Sequence, residues 1–268
     1  MYLPHVVVCM GSFCRRVMEK VDMDNLLTQA GSDKVSNVVN KKRYTTESFV
    51  RDIIGILNSI GESRGVETVF RDWCHCFALS LSNGCSLPHT QTWEQREEQY
   101  KQVIGKYTKE EVDQLITLCA LLVELFEHDP FQDHLGNLYM ELFGWNKKLG
   151  QNFTPIHLCK ICAQTTIGTP LPEPKTLADE CSGGGAMLIA ACWWYAENKV
   201  DYQKYLKITC GDRDSLCVYM SYIQLSLIGA RAEVWRRNAI THETFDLFVT
   251  PMEVMLLPLK YCGVNQDE

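Results

Sequence analysis

Asp179-Glu180-Cys181-Ser182-Gly183-Gly184-Gly185-Ala186-Met187-Leu188 is the stretch on which the fold turns. It reads as the end of a buried strand (Thr176–Asp179), a glycine-rich turn, and the start of a helix running from Gly185 to Asn198. Glycines allow a backbone to approach a ligand closely, and a helix N-terminus offers free N–H groups. The same unit repeats downstream. Strand Leu206–Cys210 ends at Gly211-Asp212-Arg213-Asp214 and is followed by a helix over Ser215–Ile228. A third strand is expected at Ala232–Trp235 and a fourth at Phe245–Val249. Strands alternating with helices imply an α/β fold, a mostly parallel sheet with helices on both faces. In such sheets ligands sit beyond the carboxyl ends of the strands, near a topological switch point, which is where Ser182–Gly185 falls.

Upstream the texture differs. A short helix is expected around Arg15–Thr28 and a loop over Gly31–Lys42. Phe49, Ile53, Ile56, Leu57 and Ile60 then fall at helical spacing, with Thr45 or Thr46 as cap and Gly61 as the end. Val66–Leu81 reads as a second helix closed by Asn83-Gly84, and residues 93–107 as a third. Thr108-Lys109-Glu110-Glu111 is a capping-box pattern that launches an apolar helix to Phe126. Asp133–Phe143 is the last, stopping at Gly144. Pro155, Pro170, Pro172 and Pro174 punctuate a connection into the α/β part. The expected division is a helical domain over 1–149 and an α/β domain over 150–268.

The chemistry-bearing residues cluster around the glycine turn. Asp179, at a strand end, suits a cationic or hydroxyl group. Asp212 ends the next strand about thirty residues on, where an acid suits the two hydroxyls of a ribose. Asn238, after the third strand, suits an adenine edge. There is no GxxxxGK[ST], and the turn is not GxGxxG. A site without a pyrophosphate fingerprint that keeps the ribose acid points to S-adenosylmethionine rather than NAD.

At these residues the chain resembles the N6-adenine DNA methyltransferases, especially the modification subunits of type I restriction systems and their phage-borne relatives. Asp133–Tyr139 resembles their D-x-L-G-x-x-Y helix. Gly150-Gln151-Asn152-Phe153-Thr154-Pro155 is similar to G-x-[FY]-[FY]-T-P. Asp179–Leu188 resembles D-P-x-C-G-S-G-x-M-L, with Glu180, Ser182 and Gly184 in place of Pro, Cys and Ser. Gly211–Met220 resembles the ribose-binding G-x-D-x-D-x-x-C-x-x-M through Asp212, Asp214, Cys217 and Met220, with Cys210 at the position of its glycine. The resemblance implies a Rossmann-like methyltransferase fold with an incomplete sheet. It implies that S-adenosylmethionine is held by Phe153, Thr154 and Pro155 at its methionine end, with Asp179, Ser182, Gly183, Gly185, Asp212 and Asn238 completing the set.

The family's catalytic Asn-Pro-Pro-[Phe/Tyr], which holds and stacks a flipped adenine, does not occur here. The nearest stretch, Phe245–Glu253, offers Thr250-Pro251-Met252-Glu253, with no Asn, second Pro or aromatic. No catalytic residue is therefore assigned. Three readings follow: an adenine methyltransferase completed by these four residues or by a partner, a non-catalytic S-adenosylmethionine-binding subunit, and a remnant that binds nothing.

The bulk numbers bound the partners. The 268 residues are 46% hydrophobic, enough for a well-buried core, and the formal net charge is −7. A duplex binder usually shows a basic footprint, so DNA is expected through a partner subunit. Too few strands remain after Phe245–Val249 to close the sheet, and an open edge invites a protein partner or self-association. No apolar run approaches the roughly 18–20 residues of a membrane helix, and Met1–Met10 does not make a secretory signal. A cytoplasmic protein without a membrane partner is expected. The thirteen cysteines read as small buried hydrophobes. Cys74-His75-Cys76 and Cys159-Lys160-Ile161-Cys162 have ligand-like spacing but no second pair to close a zinc site. Trp193-Trp194-Tyr195 reads as a core or interface stripe. His128, His134 and His157 read as capping or surface residues, and Lys41-Lys42-Arg43-Tyr44 as a solvated turn. Arg231, Arg236 and Arg237 are the better phosphate candidates, on the ligand side of the third strand.

Overall fold

The computed structural model describes residues 45–144 and 153–256. The expectations for Arg15–Thr28, Gly31–Lys42, Lys41–Tyr44 and Gly150–Asn152 lie outside these residues.

Five helices lead the described chain. Helix α1 (Thr46–Arg64) starts at a capping box between Thr45 and Ser48 and buries Phe49, Ile53, Leu57 and Ile60 on one face. It does not stop at Gly61. The chain turns instead at Gly65, whose φ of 84° suits glycine. Gly61 serves packing: a Cβ there would lie 2.5 Å from Val66 Cγ2. Helix α2 (Val66–Cys85) carries straight through Asn83-Gly84. Helix α3 (Gln91–Ile104) is capped by Thr90, and α4 (Lys109–His128) by the expected capping box of Thr108 and Glu111. Helix α5 (His134–Phe143) is capped by Asp133.

The proline-punctuated connection contains a sixth helix, α6 (Ile156–Ile167), begun by Pro155. The rest alternates: β1 (Lys175–Asp179), α7 (Ala186–Glu197), the short α8 (Tyr202–Tyr205), β2 (Leu206–Asp212), α9 (Ser215–Leu227), β3 (Arg231–Arg237), β4 (Thr244–Val249) and α10 (Pro251–Leu256). The architecture is mixed α/β, with one four-stranded sheet and many helices. Among the described residues no helix is long and apolar enough to cross a membrane.

The sheet order is β1-β2-β3-β4. β1, β2 and β3 are parallel, whereas β4 runs antiparallel to β3. The reason is the tight turn at Asn238. The Asn238 N–H donates to Glu243 O at 2.9 Å, and Asn238 Oδ1 accepts from the N–H groups of Ile240 and Thr241. A turn this short makes a hairpin, because a parallel return needs a long crossover. Two expectations are corrected here. The strand order does not reverse, so the glycine turn is not at a switch point among the described strands. Nor, among the described residues, are helices found on both faces. Both crossovers advance in the same direction, so their right-handedness places α7 and α9 on one side. That side buries Ile208, Cys210, Ala232, Val234 and Phe248, while Thr176, Ala178, Lys207, Thr209 and Glu233 opposite are half-buried or exposed.

One hydrophobic cluster joins the leading helices to the sheet. Phe70 and Trp73 of α2 and Leu118 and Leu122 of α4 belong with Ile189 of α7, Tyr222 of α9, and Ile208 and Val234 of the sheet. Cys74 and Cys76 are buried in it, and burial pushes the Cys76 thiol up to about 12. His134 is a correction: it is buried, with Nε2 donating to Asp129 O at 2.7 Å and its ring edge-on to Phe126. It is not a surface residue, and its hydrogen bond goes to Asp129, the residue that ends α4.

Candidate cofactor site

Parallel pairing brings the ends of β1 and β2 together, Asp179 lying opposite Cys210 two residues before Asp212. The turn after β1 is then pinned to the end of β2. The Ser182 N–H and hydroxyl both donate to Gly211 O, at 3.0 and 3.2 Å. The Gly183 N–H donates to Asp212 Oδ2 at 3.1 Å. The other oxygen of Asp212 accepts the Asp214 N–H at 2.9 Å, and Asp214 caps α9 through Leu216. The glycine turn and the acid of the next strand, paired on sequence alone, are thus in direct contact. Each carboxylate oxygen has about two acceptor positions, so one amide apiece leaves Asp212 able to receive the hydroxyls of a ribose.

Two glycines take conformations that favour glycine: φ is 53° at Gly183 and 94° at Gly185. Gly185 begins α7, its N–H donating back to Ser182 O at 2.9 Å. Phe153 closes the other side of the turn. A Cβ on Gly183 would lie 3.4 Å from the Phe153 ring, which is held edge-on against Tyr139 at 5.3 Å between centroids. Phe153, Ser182, Gly183, Gly185 and Asp212 are therefore brought together. Thr154 and Pro155 are exposed and continue directly into α6. Asp179 accepts the Cys181 N–H at 3.0 Å and so starts the turn. Asn238 follows the carboxyl end of β3, at the same end of the sheet, with its Oδ1 occupied by the hairpin.

Beneath the turn lies a residue that the sequence reading passed over. Gln224 is fully buried in α9. Its amide nitrogen donates to Gly184 O and to Asp133 Oδ1, both at 2.7 Å, and its oxygen accepts the Leu135 N–H at 3.0 Å. Asp133 Oδ1 also takes the Gly136 N–H at 2.9 Å. Burial raises the Asp133 carboxyl above its ordinary range, against the pull of the Gln224 and Gly136 hydrogen bonds. The available signal was a lone amide in the apolar run Tyr222-Ile223-Gln224-Leu225.

Arg231 is corrected, whereas Arg236 and Arg237 lie at the carboxyl end of β3, the same end of the sheet as the turn. Arg237 pairs with Glu180 through Nε at 2.7 Å and through Nη2. Arg231 is at the amino end of β3, away from the turn, bound to Glu253 at 2.9 Å and to Lys204 O at 3.2 Å. Arg236 lies over the Phe245 ring at 5.3 Å.

Thr250-Pro251-Met252-Glu253 is also built into the structure. Thr250 is buried, its hydroxyl donating to Ala230 O at 2.7 Å and accepting the Ala232 N–H at 2.9 Å. Glu253 is buried between Lys207 and Arg231. Because β4 is antiparallel, this segment sits at the amino end of β3, whereas Asp212 pairs with Arg236 near the carboxyl end. The four residue steps from Ala232 to Arg236 alone span about 13 Å at a strand's rise.

No family model matches the chain, and no curated protein matches it. Among solved structures it is similar to the type I restriction-modification system methyltransferase subunit from Streptococcus thermophilus, at 17% identity and a TM-score of 0.31. The match covers 74% of this chain and 41% of that one, so the chain spans about two fifths of the structure it matches. A likeness this slight leaves the site to be judged by its own geometry.

Proposed function

We propose that this chain is a methyltransferase-like module that binds S-adenosylmethionine and does not transfer the methyl group by itself. The observation that carries the reading is the contact of Gly183 with Asp212 beside the Phe153 ring. It supplies the three things a nucleoside-sulfonium ligand needs: a carboxylate for the ribose, close backbone, and an aromatic wall. The residues assigned to the ligand are Phe153, Thr154, Pro155, Asp179, Ser182, Gly183, Gly185 and Asp212. Asn238 is the adenine candidate through its Nδ2, since its oxygen serves the hairpin. The fold in this reading is Rossmann-like, with a helical region over 1–149 ahead of it.

Transfer to an adenine amino group requires a polar group and an aromatic within reach of the sulfonium methyl. The stretch nearest to that motif is buried at the other end of β3. A DNA target, and the residues that would hold its base, are therefore assigned to a partner subunit, and the working compartment to the cytoplasm. Thermal melting with ligands tests the assignment. S-adenosylmethionine and S-adenosylhomocysteine should raise the melting temperature, with ATP and NAD ineffective, and the chain alone should not label DNA from methyl-tritiated cofactor. Stabilisation by ATP or NAD but not by the sulfonium cofactor would overturn the ligand. Labelling of DNA by the chain alone would overturn the division of labour.

A further inference from the structure

The outer edge of β1 has no strand beside it among the described residues, and we infer that it is the seam of a two-fold symmetric dimer, β1 pairing antiparallel with β1 of a second copy. Three observations carry this, and none depends on the cofactor reading.

The first is the cover. The helices on the buried side of the sheet run in the order α9, α7, α6: α9 packs on β2 and β3, α7 on α9, and α6 on α7. This row extends a helix further than the strands beneath it, so α6 overhangs a strand position beside β1 that no described residue fills.

The second is the surface that α6 leaves free. Cys159 and Ala163 face α7. Leu158, Ile161, Cys162 and Thr165, at spacings of three and four, make a second face without a charge, on which Leu158 is 45% and Ile161 56% exposed. Residues three and four apart share one side of a helix, and an uncharged side over an open strand edge fits an added strand. Leu171, four residues before β1, is likewise 54% exposed.

The third is the edge itself, which selects the occupant. Lys175-Thr176-Leu177-Ala178-Asp179 is self-complementary when reversed. Pairing centred on Leu177 sets Lys175 of each copy opposite Asp179 of the other, Thr176 opposite Ala178, and Leu177 opposite itself. Cross-strand pairs of opposite charge stabilise a sheet and like charges destabilise it. A two-fold axis forms the favourable pair twice, as an isologous contact requires. The product is one continuous eight-stranded sheet.

The test exploits that symmetry. Under reducing conditions, sedimentation equilibrium of the full chain should show a concentration-dependent dimer. Lys175→Asp and Asp179→Lys should each dissociate about tenfold or more readily, since each homodimer then faces two like-charge pairs. Their equimolar mixture should dimerise again, because each swapped residue now meets its opposite. Ile161→Glu should weaken the dimer without touching β1. Far-UV circular dichroism on each variant confirms folding, and recovery in the mixture confirms it independently. A wild-type chain that stays monomeric at every concentration, or single variants that both dimerise as the wild type does, would overturn the assignment. Failure of the mixture to recover would do so as well, and would point to a strand from a different protein.

Discussion

The amide nitrogen of Gln224 donates to Asp133 Oδ1 and to Gly184 O at the same distance, 2.7 Å. One buried side chain thereby ties the start of α5 to the glycine turn, 91 and 40 residues away in sequence. The helical region is thus part of what shapes the candidate site. Gln224→Leu keeps the volume and removes the ties. It leaves Leu135 N–H, Gly184 O and the Asp133 carboxyl short of a partner, each worth on the order of 1–3 kcal/mol when buried. A loss of about 2–4 kcal/mol is expected in urea unfolding, with weaker ligand binding at the turn. A change below roughly 0.5 kcal/mol, the range of a neutral surface substitution, would remove Gln224 from this role.

The two left-handed glycines differ in what surrounds them. A Cβ at Gly185 would lie 3.2 Å from Ser221 Cβ, inside the packed body of α9, whereas one at Gly183 would meet only the Phe153 ring at 3.4 Å. Both substitutions to alanine carry the strain of a positive φ, roughly 1 kcal/mol. Gly185→Ala is expected to cost more stability, and Gly183→Ala more affinity, because a Cβ at Gly183 would press on Phe153, the aromatic wall of the proposed site, whereas one at Gly185 would press on α9. Parallel melting and binding curves for the two variants check this split.

Arg96 fastens α3 to the edge strand β4. It is buried, donates to Leu247 O at 2.6 Å and to Asp246 Oδ1 at 3.3 Å, reaches the Ser82 hydroxyl, and lies over the Phe248 ring at 4.5 Å. Arg96→Met keeps much of the packing and deletes the hydrogen bonds. It should cost about 2 kcal/mol and should first loosen β4, as a rise in amide exchange at Asp246–Val249 relative to β2. Uniform exchange across the sheet would contradict that assignment.

Burial lowers the pKa of both His75 and His134 below the ordinary 6.5. A base whose folded pKa is depressed binds its proton less readily than in the unfolded chain. Its contribution is intact above pH 6.5 and is lost as pH falls below it, toward the lower folded value. Asp133 acts in the other direction. Its raised pKa favours the folded state at low pH, and that contribution diminishes as pH rises through the range above 3.8. Between pH 7 and pH 5.5 the histidine contribution falls on acidification. His134→Gln should flatten that fall; an unchanged slope in denaturant midpoints would remove His134 as its source.

Much of this was legible from residue patterns because local physics fixes it. Apolar spacing gave α1, α2 and α4, Thr108 and Glu111 announced their capping box, and the strand-turn-helix pattern located Gly183 and Asp212 within reach of each other. The misreadings have a common cause. Whether Gly61 ends a helix depends on what packs against it, here Val66. Whether a fourth strand crosses over or folds back depends on a turn whose side-chain bonds, at Asn238, are invisible to hydropathy. The position of Thr250 followed wrongly from that single direction, whereas Arg231 begins β3 and lies at its amino end whichever way β4 runs. Gln224 escaped because its partners are distant in sequence.

The central claim is that Asp212 and the glycine turn bind S-adenosylmethionine. Calorimetric titration of the full chain with that cofactor, repeated on Asp212→Asn, tests it most directly. Asparagine keeps an acceptor for the Gly183 N–H and loses the charge and one acceptor edge, so the fold should persist while affinity drops about tenfold or more. One site per chain in the wild type, weakened in the variant, is the predicted result. A folded wild-type chain that releases no heat and shows no binding by equilibrium dialysis would contradict the account.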